Sequence, residues 1–103
     1  NNLAVMYQNG KYLPQDYDMA RKYYEQAADL GNRYAMKNLG VLYQDGLSVP
    51  KDLHKAFKLY KMSAEREYDV GMKRLADMYE KGYGVQSNME KAMQWWKAAA
   101  DLG

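Results

Sequence analysis

The sequence repeats itself every 36 residues, and this period constrains the fold more than any other feature. Leucine, tyrosine, glycine and alanine recur in the same order and spacing, as Leu3, Leu39 and Leu75, then Tyr7, Tyr43 and Tyr79, then Gly10, Gly46 and Gly82, then Ala20, Ala56 and Ala92. An aromatic residue recurs as Tyr24, Tyr60 and Trp96. A period of about 20–50 residues is typical of stacked repeats, so we expect a solenoid rather than a closed globular core.

Each unit of the repeat predicts two helices. In the second unit, Ala35, Leu39 and Leu42 have helical spacing, and Gly46 can end that helix in the left-handed conformation. The second helix of each unit follows a good N-cap residue, namely Asp16, Asp52 or Asn88. We therefore expect about six helices in one all-α domain, with repeats over residues 1–32, 33–68 and 69–103.

Composition and charge exclude several classes of function. The net charge of +2 is too small to suggest a nucleic-acid partner, and no apolar run approaches the roughly 18 residues that would span a bilayer. With no cysteine and one histidine, the chain has no thiolate chemistry and no multi-histidine metal site. We expect no metal, no other cofactor and no membrane insertion. The chain does not begin with methionine, which suggests a fragment of a longer protein, and its compartment stays open.

No catalytic constellation is recognisable in the sequence. His54 has no evident nucleophile or carboxylate partner and is interpreted as facing solvent. The stretch Gly82-Tyr83-Gly84 lacks the lysine and hydroxyl residue of a phosphate-binding loop, and no strand precedes it. Trp96 shares the register of Tyr24 and Tyr60 and is expected in the core, while Trp95 is expected to pack partly against a neighbour. We expect that the chain is not an enzyme.

The pattern L-[GA]-x-x-Y followed by A-x-x-x-[YW] resembles the tetratricopeptide signature, although the period there is about 34 residues. The longer period, the turn at Gly82-Tyr83-Gly84-Val85 and the alanines Ala98-Ala99-Ala100 are similar to the Sel-1-like repeat. This resemblance implies a right-handed α-α superhelix. The chain departs from the pattern at Tyr12 and Ser48, where the family favours glycine, and at Glu67, where the other units have Gly31 and Gly103.

The resemblance also implies where a partner would bind. The first helix of each unit should line a concave face, on which the variable positions are Tyr34, Lys37, Asn38, Val41, Gln44, Asp45, Val70, Lys73, Arg74, Asp77, Glu80 and Lys81. The first unit would add Asn1, Asn2, Val5, Gln8 and Asn9. Tetratricopeptide domains that capture a carboxylate use lysine, asparagine and arginine from successive first helices. The residues Lys37, Asn38, Lys73 and Arg74 could do the same for an acidic peptide, although an ordinary solvated groove is the alternative.

Two functions follow from this resemblance. The first is a scaffold or adaptor that binds a protein or peptide on its concave face. The alternative is a regulatory or structural segment of a larger enzyme whose catalytic domain lies outside this chain. The lysines of the second helices are interleaved with acidic residues and are interpreted as a solvated outer face. Because a terminal repeat leaves an apolar flank uncovered, we also expect self-association through exposed ends near Met93, Trp96 and Ala100.

Overall fold

The computed structural model describes residues 16–102 and contains five helices within that range: α1 (Tyr17–Asp29), α2 (Arg33–Asp45), α3 (Leu53–Glu65), α4 (Asp69–Lys81) and α5 (Met89–Leu102). These residues include no strand, so the expected all-α fold is confirmed for them. The first helix expected in the first unit, with Asn1, Asn2, Val5, Gln8 and Asn9, lies outside the described residues.

The helix starts follow the predicted caps. The Asp16 carboxylate accepts a hydrogen bond from the Asp18 backbone N–H at 3.0 Å, and Asp52 accepts one from the Lys55 N–H at 3.0 Å. Asn88 caps α5 in the same way through the Lys91 N–H at 3.1 Å. Each cap satisfies a backbone donor that the first helical turn leaves unpaired, and the cap therefore fixes where the helix begins.

Left-handed residues lie at or just beyond the helix ends and in the loops that follow, and two of them are not glycine. Gly46 and Gly82 end α2 and α4 with φ of 69° and 70°. Ser48 has φ of 67° and Glu67 has φ of 61°, and they stand 36 residues from Gly84 and Gly31, whose φ values are also positive. Glu67 thus adopts the left-handed conformation of Gly31, the glycine in whose register it stands.

Arg33 holds the turn that contains Glu67. Its Nη1 donates to the backbone carbonyls of Arg66 at 3.1 Å and Glu67 at 3.4 Å. These carbonyls follow the end of α3, where the helix has no further N–H groups to pair with them. One side chain at the start of α2 thereby fixes the loop that leads into the next repeat.

The repeats stack through two kinds of helix contact. Within a repeat, α2 packs on α3 and α4 packs on α5, and between repeats α1 packs on α2 and α3 on α4. Glycine allows the closest approach within the second repeat, because a Cβ on Gly40 would lie 2.6 Å from Cε1 of Tyr60. Tyr60 itself is 0% exposed, so the ring lies directly against the α2 backbone.

The outer flank of α5 differs from those of α1 and α3. Tyr24 and Tyr60 are fully buried, whereas Trp96 in the same register is only half-buried and Ala100 is exposed. Trp96, which was expected in the core, is therefore only partly buried, and the flank near Met93, Trp96 and Ala100 is exposed as expected. The reason is that α2 covers α1 and α4 covers α3, while no described helix covers this flank of α5.

Candidate functional site

The inner face of the stack is formed by α2 and α4. These two helices contact each other, whereas no Cα atoms of α1, α3 and α5 approach one another within 8 Å. In a curved stack, the row of helices in mutual contact lies inside the curve and the separated row lies outside. We call the surface of α2 and α4 the inner face and that of α1, α3 and α5 the outer face.

Two like charges meet on the inner face. Lys37 of α2 is half-buried and Arg74 of α4 is exposed. Burial lowers the pKa of Lys37, and the nearby Arg74 guanidinium lowers it further. The ion pairs among residues 16–102 join Arg21 to Asp18 and to Glu25, so no carboxylate of the described chain forms an ion pair with Lys37 or Arg74. The Lys37–Arg74 pair is thus a site where an incoming anion would relieve repulsion.

A buried tyrosine adds a polar group beside this pair. The Tyr60 hydroxyl donates to Oε1 of Gln44 at 2.6 Å. Burial raises the pKa of Tyr60 strongly, Arg74 acts in the opposite direction, and Asp45 and Asp77 add to the rise. Arg74 is therefore near both Lys37 and the Tyr60 hydroxyl.

Tyr34 belongs to a separate group at the N-terminal ends of α2 and α4. Its ring centroid lies 4.6 Å from that of Tyr68 in an edge-on arrangement. The Arg33 guanidinium carbon lies 5.3 Å from the Tyr34 ring and 6.0 Å from the Tyr68 ring. This cluster places aromatic surface at one end of the inner face, with Tyr34 42% exposed.

The other candidate residues are less tightly connected. Three are half-buried and three are exposed, namely Asn38, Val41 and Val70, then Lys73, Glu80 and Lys81. Val41 packs against a core cluster, and Lys81 Nζ lies 5.8 Å from the Tyr83 ring. Among the described residues, neither Asn38 nor Lys73 forms a hydrogen bond or ion pair with Lys37 or Arg74.

Sequence reasoning missed two features of the site. Tyr60 was assigned to the core, yet its hydroxyl reaches Gln44 on the inner face. The signal was the choice of tyrosine, because a buried tyrosine needs a hydrogen-bond partner for its hydroxyl. The second feature is an open cleft of about 450 Å³ on the outer face between α3 and α5, with Lys61, Tyr79, Lys91 and Trp95 among its lining residues.

The remaining chemistry of the described residues is sparse. His54 is exposed, as expected, and its Nδ1 lies 3.3 Å from the Gly84 carbonyl oxygen. Within residues 16–102, no group of three His, Cys, Asp or Glu side chains is placed to hold a metal ion. In the same part of the chain, no helix combines the length and apolar character needed to cross a bilayer.

Comparison with known families gives one clear match. The model of the Sel1 repeat matches residues 1–32, 33–68 and 70–103, which together are nearly the whole chain. No curated protein gives a significant match.

Solved structures of repeat proteins superpose closely on this chain. A protective antigen of uropathogenic Escherichia coli strains that displays an SLR fold is 36% identical, with a TM-score of 0.95 over 99% of this chain and 22% of its own. A Sel1 repeat protein from Oxalobacter formigenes is 28% identical, with a TM-score of 0.94 over 99% of this chain and 42% of its own. The Helicobacter pylori cysteine rich protein B is 26% identical, with a TM-score of 0.85 over 98% of this chain and 78% of its own. The chain thus spans less than half the length of the first two proteins.

Proposed function

We propose that this chain, which belongs to the Sel1 repeat family, binds a partner protein through the inner face of α2 and α4. Sel1 repeat proteins are generally protein-interaction scaffolds. Stacked repeats present an extended surface whose exposed positions can vary without disturbing the core. The proposal therefore concerns which surface binds and what chemistry it selects.

The observation that carries the proposal is the Lys37–Arg74 pair. Two cations near each other on a partly desolvated surface raise the free energy of the folded state, and no carboxylate of the described chain forms an ion pair with either of them. Charge-assisted hydrogen bonds from such donors to a carboxylate are stronger than those between neutral groups. We infer that the partner presents an acidic side chain or a C-terminal carboxylate at this point.

The neighbouring groups determine which partner side chains this surface accepts. Oε1 of Gln44 already accepts a hydrogen bond from the Tyr60 hydroxyl, which leaves the amide N–H groups of Gln44 able to donate to a partner. The exposed Asp45 and Asp77 lie near Tyr60 and would repel a second acidic group in the partner. A single carboxylate, flanked by neutral or basic residues, fits this surface best.

The test measures partner affinity and melting temperature in the same double variant. The double change Lys37→Gln and Arg74→Gln removes the repulsion, so the melting temperature should rise slightly or stay constant. Partner affinity should fall by about tenfold or more, which corresponds to about 1.4 kcal/mol. The chain and its variants would be used as affinity baits, and the proteins retained would be quantified and then measured individually by calorimetry.

The matched control is Lys22→Gln with Lys97→Gln, two exposed lysines of the outer face. It changes the net charge by the same amount and should leave partner binding intact. A partner retained equally by both double variants would contradict the proposal. Equal loss from both would indicate non-specific attraction by net charge, which added salt should abolish.

Titration of Lys37 gives a second readout. Because burial and Arg74 both lower the pKa of Lys37, Arg74→Gln alone should raise it. Binding of a carboxylate should raise it as well, since the charged form gains a partner. Nuclear magnetic resonance of the lysine side chains would measure this, and a Lys37 pKa that does not move on partner binding would exclude direct contact.

A further inference from the structure

The outer helices α3 and α5 leave a cleft between them. Their Cα atoms nowhere come within 8 Å, and the cleft of about 450 Å³ reaches inward to Tyr79 of α4. Tyr79 is 7% exposed, while Trp95 and Ala98 are half-buried. Rings and a methyl group therefore make the cleft apolar in its depth.

The rim of this cleft is cationic. Lys61 of α3 and Lys91 of α5 both line it and both are exposed. The lining residues include no carboxylate, and no ion pair of the described chain involves either lysine. The site thus combines an apolar floor with two ammonium groups that have no acidic partner among residues 16–102.

One part of this arrangement, a lysine placed over a tyrosine ring, recurs in two successive repeats. Lys91 Nζ lies 5.6 Å from the centre of the Tyr79 ring, and 36 residues earlier Lys55 Nζ lies 4.8 Å from the centre of the Tyr43 ring. Such lysine-over-tyrosine contacts are attractive and hold the ammonium group over the ring. The same lysine is therefore positioned in two successive repeats.

This cleft differs from a second pocket on the outer face in charge and in aromatic surface. A pocket of about 380 Å³ beside α3 has Leu59 in the register of Trp95 and includes Asp52 among its lining residues. The position of Lys61 corresponds to Glu25 in the preceding repeat, where Glu25 pairs with Arg21 at 3.2 Å. Unlike the pocket beside α3, the cleft between α3 and α5 joins a tryptophan to two lysines and has no carboxylate among its lining residues.

We propose that this cleft is a second binding site, and that it takes an acidic peptide segment in which carboxylate and apolar side chains alternate. The carboxylates would pair with Lys61 and Lys91, and an apolar side chain would rest on Tyr79 and Trp95. Enclosed pockets bury roughly 70–90% of a small ligand, whereas this cleft is open along its rim. A length of polypeptide fits it better than a small anion does. The site lies on the opposite face from Lys37 and Arg74, so a negative result for one of the two sites leaves the proposal for the other unaffected.

Trp95 supplies the reporter for a direct test. The chain has two tryptophans, and Trp96→Tyr installs the residue that Tyr24 and Tyr60 provide in the same register. In that background, the fluorescence of Trp95 would be titrated with the blocked pentapeptide acetyl-Glu-Leu-Glu-Leu-Glu-amide. We expect a saturable change in emission. The indole N–H resonance of Trp95 in the unaltered chain gives the same readout without the substitution.

Variants assign the binding to the cleft. Lys61→Gln with Lys91→Gln should weaken the peptide by about tenfold or more. Two pairs of equal charge change, Lys22→Gln with Lys97→Gln and Lys37→Gln with Arg74→Gln, should leave the Trp95 titration unchanged. Equal weakening by all three pairs would overturn the proposal, because it would mean attraction by net charge alone.

Altered peptides test the chemistry of the occupant. The Gln-Leu-Gln-Leu-Gln analogue should fail to bind if the lysines recognise carboxylates, and Glu-Ser-Glu-Ser-Glu should bind weakly if the ring floor contributes. Equal binding of either analogue would overturn the proposal. So would free glutamate that competes as well as the pentapeptide, since it would make the cleft a small-anion site.

Discussion

Glu67 holds a backbone conformation that the preceding repeat gives to a glycine, Gly31. Its φ is 61°, and Gly31 in the same register has φ of 90°. A residue with a Cβ pays a steric penalty of about 1 kcal/mol in this region, which glycine avoids. We expect Glu67→Gly to raise the free energy of unfolding by about 1 kcal/mol and the melting temperature by about 4–8 °C, measured by thermal denaturation.

The control separates backbone strain from the loss of a charge. Glu67→Ala removes the carboxylate but keeps the Cβ, and it should leave the melting temperature close to that of the unaltered chain. If alanine stabilises as much as glycine, the charge of Glu67 rather than its φ is the source of the effect. The Arg33 contacts to the Arg66 and Glu67 carbonyls are made to backbone oxygens, so neither substitution removes them.

At the scale of the elements, Gly40 sets how closely α2 approaches α3. Helix propensity alone predicts that Gly40→Ala stabilises the chain by about 1 kcal/mol. The structure predicts the opposite, because the new methyl group would lie 2.6 Å from the buried Tyr60 ring. Overpacking of this kind typically costs about 1–3 kcal/mol. Chemical denaturation decides the sign, and a stabilised variant would mean that α2 and α3 can separate at little cost.

The sequence predicts the helices well because their determinants are local. Asp52 and Gly46 mark the boundaries of α3 and α2 through hydrogen bonds and a left-handed residue within a few positions of each end. The first helix of the first unit stays a prediction. The proximity of Lys37 to Arg74 and the hydrogen bond from Tyr60 to Gln44 could not be predicted from such local signals. They depend on how neighbouring helices are shifted and rotated relative to each other. The same holds for the cleft between α3 and α5, whose residues are about 30 positions apart.

At the scale of the molecule, α5 carries an apolar flank that other repeats bury. Met93 is 61% exposed, whereas Phe57 in the same register is 9% exposed and packs edge-on against Tyr79 at 5.4 Å between ring centroids. Burial of apolar area of this kind drives association, at roughly 25 cal/mol per Å². We expect the apparent mass from light scattering to rise as the chain approaches millimolar concentration.

A polar substitution should reverse this self-association. Met93→Lys, on the exposed flank, should return the scattering mass to that of a monomer. Met62→Lys provides the comparison, because Met62 is 43% exposed but lies on α3, away from the flank of α5. A strictly monomeric unaltered chain at millimolar concentration would refute the prediction, and an equal effect of both substitutions would place the contact elsewhere.

The contacts between repeats also restrict which repeats can be neighbours. Ser63 is fully buried against the following repeat, and a Cβ at Gly71 would collide with its Oγ. One repeat earlier, Ala27 and Ala35 occupy the corresponding positions. Removing residues 33–68 would bring Ala27 against Gly71 and leave a small gap, whereas duplicating them would bring Ser63 against Ala35 and create a clash. The 36-residue period makes the repeats look interchangeable, but this contact therefore fixes their order. Deleting a repeat at this junction should destabilise the stack far less than inserting one.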